Sequence, residues 1–453
     1  MNTPIIDFVR EYQEREGTRF HMPGHKGHVF FGWEPFDITE IPGADVLHQG
    51  RGIIWESERN AAGLFGTGGT FYSTEGSTHC IKAMLGALCM ERGGRERGDG
   101  RSWLLAARNI HRSMVDACAL LDLDVRFLWG ESPGSLCSHV ISAEQLEGVL
   151  CQAGEKPLAV YVTSPDYLGQ QEDIGALSCI CHREGIPLVV DNAHGAYLHF
   201  LEEKCHPMDL GAAMCCDSAH KTLPALTGAA YLHVHPRYGQ RFLAYVRQAM
   251  LLFGSTSPSY LTLQSLDYCN AYLSQDYPER LKETVARAGE WKRMFAEAGG
   301  RVLPSEPLKI VIETAGFGYS GREIGAEMRA YGMECEYEDQ AFVVLMVTPE
   351  NTAKDWERLH EWGENTRMLR CRREGMPVSV GGRLRSRQVM SIREAAFAKS
   401  EMVPAERAAG RVCAAETVSC PPAVPIAICG EEISREMVEE FRKFGIKEVS
   451  VVL

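Results

Sequence analysis

The chain has 453 residues, 45% hydrophobic and 24% charged, the composition of an ordinary folded protein too long for one compact core. A net charge of −13 speaks against nucleic acid or an anionic membrane as the main partner and mildly favours small cations. No apolar run is long enough to span a bilayer.

The opening MNTPIIDFVREYQEREG turns polar too early for a secretory leader. A cytoplasmic protein is therefore expected, with its 16 cysteines reduced. No C-x-x-C pair occurs, and CICH at Cys179 to His182 falls in a predicted helix that turns its residues to different faces, so no metal site is expected.

Taken in chain order, PIIDFVREYQEREG has helical periodicity and stops at Gly17. HMPGHKG follows as an irregular loop. Glycine then recurs through GLFGTGGTFYSTEGST ahead of a predicted helix, HCIKAMLGALCMERG, and Gly93 to Ser102 reads as a polar surface turn. Strands and helices alternate next: WLLAA then HRSMVDACALL, LAVYV then GALSCICHREG, and PLVV. That alternation predicts an α/β domain with a mostly parallel sheet wrapped by helices. Such sheets bind ligands at the carboxyl ends of their strands. Asn109 and His111 follow WLLAA, Ser164 and Pro165 follow LAVYV, and Asp191 and His194 follow PLVV. A helix over Tyr277 to Ala298 connects to a smaller α+β region, giving expected domains of 1–300 and 301–453.

The chemistry centres on SAHKT, Ser218 to Thr222. A lysine that forms an imine must sit beside its aldehyde and be partly desolvated. Most lysines are solvated surface charges, so Lys221 gains meaning only from its neighbours. Ser218 and His220 are suited to donate hydrogen bonds to a phosphate. Asp191 closes an apolar strand, where a carboxylate is costly unless a cation pairs with it. The protonated ring nitrogen of pyridoxal 5′-phosphate is such a cation, though a plain turn cap is the simpler alternative. The STEGST loop precedes a helix, so its N–H groups and the Ser77 and Thr78 hydroxyls suit the cofactor phosphate. His111, at a strand-to-helix junction, is placed to stack on an aromatic ring.

Seven segments in order resemble the Orn/Lys/Arg decarboxylase family of aspartate-aminotransferase-like, fold type I pyridoxal-phosphate enzymes. They are HMPGHKG, FDITEIPGADVLH, RNIHRS, VTSPDYLG, VDNAHGA, DSAHKTLPALTGAAYLH and STSPSYLTLQSLD, and the likeness resumes over Ser391 to Ile433. The resemblance implies that Lys221 holds the cofactor as an imine, Asp191 pairs with its ring nitrogen and His111 stacks over it. Ala193 and His194 then line the opposite face and the phenolic oxygen, and Ser77, Thr78, Ser218 and His220 hold the phosphate. It also implies a homodimer in which STSPSY contributes to the neighbouring site, and a short form without the N-terminal wing domain of the large members. Asn192 stands where the family commonly has Glu, Glu75 where it has Asn, Arg112 where it has Lys and Leu168 where it has Tyr; CPPA at Cys420 to Ala423 replaces Y-P-P-G.

The implied reaction is decarboxylation of lysine, arginine or ornithine to the corresponding amine, with Lys221 or a histidine returning a proton to Cα. Glu431 or Glu432 is the candidate partner for the basic side chain, against a simpler role as a solvated helix start. An aminotransferase on the same fold needs an arginine on the α-carboxylate, and Arg393 is the candidate for it. A catalytically decayed regulatory subunit is the third reading; the retained Lys221 speaks against it.

Overall fold

The computed structural model describes residues 1–15, 17–93, 101–130, 136, 138–376, 384, 386–419 and 424–453. Most of the polar turn expected over Gly93 to Ser102 and the CPPA motif at 420–423 lie outside the described residues. The chain divides into two compact units that alternate along the sequence: Met1–Gly100, Glu155–Tyr161 and Ile174–Pro278 form one, and Arg101–Gly154, Val162–Asp173 and Glu279–Leu453 the other.

In the first unit the strands Gly69–Ser73, Ala230–Val234, Met214–Asp217 and Leu188–Asp191 lie side by side in that order. The first three are antiparallel to their neighbours, with Gly69 opposite Val234 and Met214 also opposite Val234. The last two run parallel, with Asp191 opposite Cys216. Three of the four strands are wholly buried, which explains their unbroken apolar character. These four strands therefore form a mixed sheet, its antiparallel members set beside the mostly parallel pattern that the sequence predicts. MCCD and GTFYS are too short and too polar at their ends to announce themselves as strands.

Helices flank this sheet. Gly76–Arg92 buries nine of its residues, among them Cys80, Ile81, Met84, Leu85 and Leu88, and Ile174–Glu184 buries Ile174, Leu177, Ile180 and Cys181. Cys179 is exposed and Cys181 buried, so the CICH residues do face different ways. The first helix, Pro4–Glu14, opens on a proline that has no N–H to satisfy. Its next two N–H groups, Ile5 and Ile6, donate to Asp267 Oδ2 at 2.9 and 3.1 Å, so a carboxylate 262 residues away caps it.

The second unit contains the parallel pair Trp103–Ala107 and Asp124–Leu128, joined through the helix Arg112–Leu121. It also holds an antiparallel sheet in the order Tyr337–Glu338, Phe342–Met346, Lys309–Glu313, Val302–Leu303. The helices Tyr277–Glu297 and Ala353–Asn365 pack through Trp291, Phe295 and Trp362, with ring centroids 4.9 to 6.4 Å apart. Three large rings buried in one stack contribute on the order of 1.5–3 kcal/mol each. The chain closes on short antiparallel ribbons, including Ser400–Pro404 with Glu448–Val452, and the helix Arg435–Lys443. Among the described residues no helix is long and apolar enough to cross a membrane.

Candidate active site

The first unit gathers the residues expected to carry chemistry. Strand Leu188–Asp191 delivers Asp191 to the sheet's carboxyl edge, 2% exposed. Its carboxylate accepts the Ala193 N–H at 3.2 Å and the Tyr161 hydroxyl at 3.3 Å, with the Cys216 thiol 3.8 Å away. No cationic side chain among the described residues lies within ion-pair distance of it. A buried carboxylate normally has such a partner.

The parallel neighbour, Met214–Asp217, leads straight into Ser218 and the single turn Ala219–Thr222. That turn presents Lys221, whose Nζ lies 3.1 Å from His194 Nε2. His194 sits three residues past Asp191 in the same buried loop, where Ala193 is buried as well. Lysine, histidine and strand-end aspartate are thus brought to one edge because two adjacent parallel strands end together.

The glycine loop is tied to the same edge. Gly76 N–H donates to Gly228 O at 2.7 Å, and His220 Nδ1 lies 2.9 Å from the neighbouring carbonyl of Ala229. Gly228 has φ +93°, and a Cβ there would come within 2.9 Å of Thr74 O, so this contact requires glycine. Ser77 and Thr78 open the helix Gly76–Arg92, half-buried, where N–H groups and the helix dipole favour an anion. Glu75, the carboxylate that departs from the family pattern, accepts the Ser255 N–H at 2.7 Å and is held by the STSPSY segment.

Behind this edge lies a second acid that the motifs did not single out. Asp217 is fully buried and accepts from Asn192 Nδ2 at 2.7 Å, His206 Nε2 at 3.0 Å and His233 Nε2 at 3.2 Å. Burial alone would raise its pKa, but the two histidines hold it well below the ordinary carboxylate range. The ligand atoms of His206, Asp217 and His233 lie within 4.8 Å of one another, a spacing a metal ion would accept. The hydrogen bonds assign protons there instead. His206 Nδ1 accepts the Met208 N–H at 3.3 Å, so Nε2 carries the ring hydrogen and donates it to Asp217.

The remaining sequence candidates lie in the second unit. His111 caps the helix Arg112–Leu121, its Nδ1 accepting the Ser113 N–H at 3.2 Å. Arg112 points outward to Asp116 and Glu416, and Leu168 is buried in the C-terminal core. Glu431 and Glu432 form a two-residue strand paired with Arg387–Gln388; the acidic helix start suggested by the sequence actually begins at Arg435. Glu431 is 1% exposed and grips Arg108 in a two-pronged ion pair at 2.6 and 2.9 Å, with Ser386 and the Ile428 N–H on the remaining lone pairs. Phe127 and Trp129 flank the same guanidinium, at 4.6 and 5.0 Å. Glu432 is partly exposed, 3.9 Å from Arg387. Arg393 Nη1 donates to the carbonyls of Ala119 and Leu120, closing the C-terminus of the helix that His111 opens.

Sequence reasoning missed Arg108, Tyr161, Asp217, His206 and His233. Asp217 stood inside a quoted motif, DSAHKT, and its place at a strand end was the available signal. His233, 16 residues on, closes the longer form of that motif, whereas His206, 11 residues before it, carried no signal.

A mixed sheet with helices and a smaller C-terminal α+β region is the architecture of fold type I pyridoxal-phosphate enzymes. The lysine decarboxylase LdcF of Francisella novicida superposes with a TM-score of 0.81 at 15% identity, covering 100% of this chain and 81% of that one. The chain belongs to the Orn/Lys/Arg decarboxylase family, whose major-domain model matches residues 3–349. It is 26% identical over 468 aligned positions to an arginine decarboxylase of Bacillus anthracis, covering 97% of this chain and 92% of the relative. It is 29% identical to the uncharacterized protein YaaO of Bacillus subtilis, covering 98% and 94%.

Proposed function

We propose that this protein decarboxylates a basic amino acid with pyridoxal 5′-phosphate held on Lys221. One observation carries the reading: Asp191 is buried with no cationic side chain beside it among the described residues, in the unit where Lys221 Nζ lies 3.1 Å from His194 Nε2. An unpaired buried charge costs several kcal/mol, on the order of what a cationic ring nitrogen offsets. The residues present therefore fit the cofactor.

When bound, the cofactor supplies an electron sink for the pair left on Cα as CO₂ departs. Asp191 keeps a proton on the ring nitrogen. His194 Nε2 takes up or returns a proton at Lys221 Nζ, and one of these two groups protonates Cα afterwards. Ser77, Thr78, Ser218 and His220, all in the first unit, would hold the phosphate, and the buried Ala193 would lie beside the ring. Asp191 ends one buried strand and Lys221 sits in the turn that follows its parallel neighbour, so both are positioned before substrate arrives.

Arginine is the first substrate to assay, because the Bacillus anthracis relative matched over 92% of its length is called an arginine decarboxylase. Glu431 is already engaged by Arg108, which argues against it as the partner of the substrate's cationic end. The reading includes a homodimer. Phe20, Phe30, Phe31 and Trp33 are 94, 70, 77 and 56% exposed within one short segment, an apolar surface of the kind a second copy covers.

The test is CO₂ release and amine formation from arginine, lysine and ornithine, with light scattering for the oligomer. Agmatine, cadaverine or putrescine produced in step with CO₂ supports the proposal. Keto acid as the main product supports transamination instead, and cofactor binding without turnover of any of the three supports a decayed subunit.

A further inference from the structure

The residues behind Lys221 form a closed hydrogen-bonding unit. Asn192 directly follows Asp191, and Asp217 directly precedes the Ser218 that opens the lysine turn. Their side chains meet at 2.7 Å, Asn192 Nδ2 on Asp217 Oδ1, and the Asn192 backbone N–H donates to Cys216 O at 2.9 Å. Both residues are fully buried. The other carboxylate oxygen of Asp217 receives the Nε2–H groups of His206 and His233. Thr70 Oγ1 lies 2.8 Å from His233 Nδ1 and orients that ring from behind.

This geometry leaves no room for a charge at position 192. Asn192 Oδ1 has no donor among the described residues and lies on Gly195, where a Cβ would collide with it. Reversing the amide would set its oxygen against the Asp217 carboxylate, so the amide has one allowed orientation. A carboxylate at 192 would face Asp217 in a water-free site, forcing one of the pair to take up a proton. The amide and the acid thus require each other, and together they splice the strand end carrying Asp191 to the turn carrying Lys221.

We propose that Asn192 and Asp217 are a matched pair of positioning residues, joined by one buried hydrogen bond that sets Lys221 in register with Asp191. The pairing stands on geometry alone; its consequence for the cofactor rests on the function proposed above. Neither residue touches cofactor or substrate; both act through Asp191 and Lys221, which the function proposed above sets against the cofactor.

A double-mutant cycle tests it, using N192D, D217N and N192D/D217N in the full-length protein. Two readouts are taken: the thermal midpoint of the cofactor-free protein, and the visible absorbance gained on adding pyridoxal 5′-phosphate, with its pH dependence. N192D is expected to lower cofactor affinity about tenfold or more and to shift the pH at which the visible band titrates. The double variant, which again has one acid facing one amide, is expected to recover both readouts relative to N192D. A single variant that fails to fold beside a double variant that folds also supports the pairing. Losses that simply add across the cycle, or a double variant no better than N192D, overturn it. A wild-type protein that never colours sinks the cofactor reading, while the thermal cycle still decides the pairing.

Discussion

Two carboxylates, one in each unit, are equally hidden from water, and their surroundings differ in the one respect that matters. Glu431 is clasped by Arg108 through two hydrogen bonds, with Ser386 and a backbone N–H completing its shell. Asp191, 2% exposed, has only neutral donors among the described residues: a backbone N–H, a phenol and a thiol. The first is a finished structural pair. The second is unfinished in the sense that a buried negative charge still lacks its cation. Sequence alone offered both acids as functional candidates, and only the partner beside each one separates them.

The contrast sets the order of the predictions. The largest effect is on the nucleophile: Lys221→Ala should reduce decarboxylation by at least about a thousandfold and remove the visible cofactor band, with melting of the cofactor-free protein little changed. Unchanged turnover in that variant would remove Lys221 from the reaction. Glu431→Gln should cost about 3–5 kcal/mol of folding stability in urea denaturation, because Arg108 is left charged and buried. A loss below 1 kcal/mol (roughly a surface ion pair's worth) would make Arg108–Glu431 a peripheral contact.

Asp191→Asn should do the reverse. Turnover falls on the order of a hundredfold, while cofactor-free stability holds or rises because an uncompensated buried charge is gone. A variant that loses stability and keeps its rate would erase the distinction between the two acids.

A smaller effect concerns pH. Burial pushes Glu172 up to about 8, against the hydrogen bonds it accepts from the Ile141 N–H. The folded protein therefore keeps a proton there that the unfolded chain releases near its ordinary value of 4.5. Its contribution is full below that value and declines as pH rises toward 8. Glu172→Gln should flatten that part of the stability–pH profile, read from thermal midpoints between pH 5 and about 9. The smallest effect is at Arg393: removing its bonds to Ala119 O and Leu120 O should cost about 1 kcal/mol and leave the ratio of amine to keto acid unchanged. A changed ratio would put Arg393 on the substrate.

How much of this was legible beforehand follows from how far each signal reaches along the chain. LVVD and its ending in Asp191 could be read directly, because a strand buried on both faces is a run of apolar residues. The helices Pro4–Glu14 and Ile174–Glu184 were visible for the same local reason, their periodicity. The antiparallel strands Gly69–Ser73 and Ala230–Val234 were not, since their pairing is fixed by residues about 160 positions apart. Glu431 could not be separated from a solvated acid, because its partner lies 323 residues away. Asn192 looked like a plain departure from the family pattern until Asp217 was found behind it. Local pattern announced the elements and the lysine motif; the charge partners that give each acid its role are long-range and needed the fold.

The most direct measurement is borohydride reduction of the protein after incubation with pyridoxal 5′-phosphate, followed by peptide mass analysis. The account predicts a single pyridoxyl adduct on the peptide carrying Ser218 to Thr222, at Lys221, in wild type, and a weaker or absent one in Asp191→Asn. Labelling spread over surface lysines, or concentrated on a lysine other than Lys221, would contradict it.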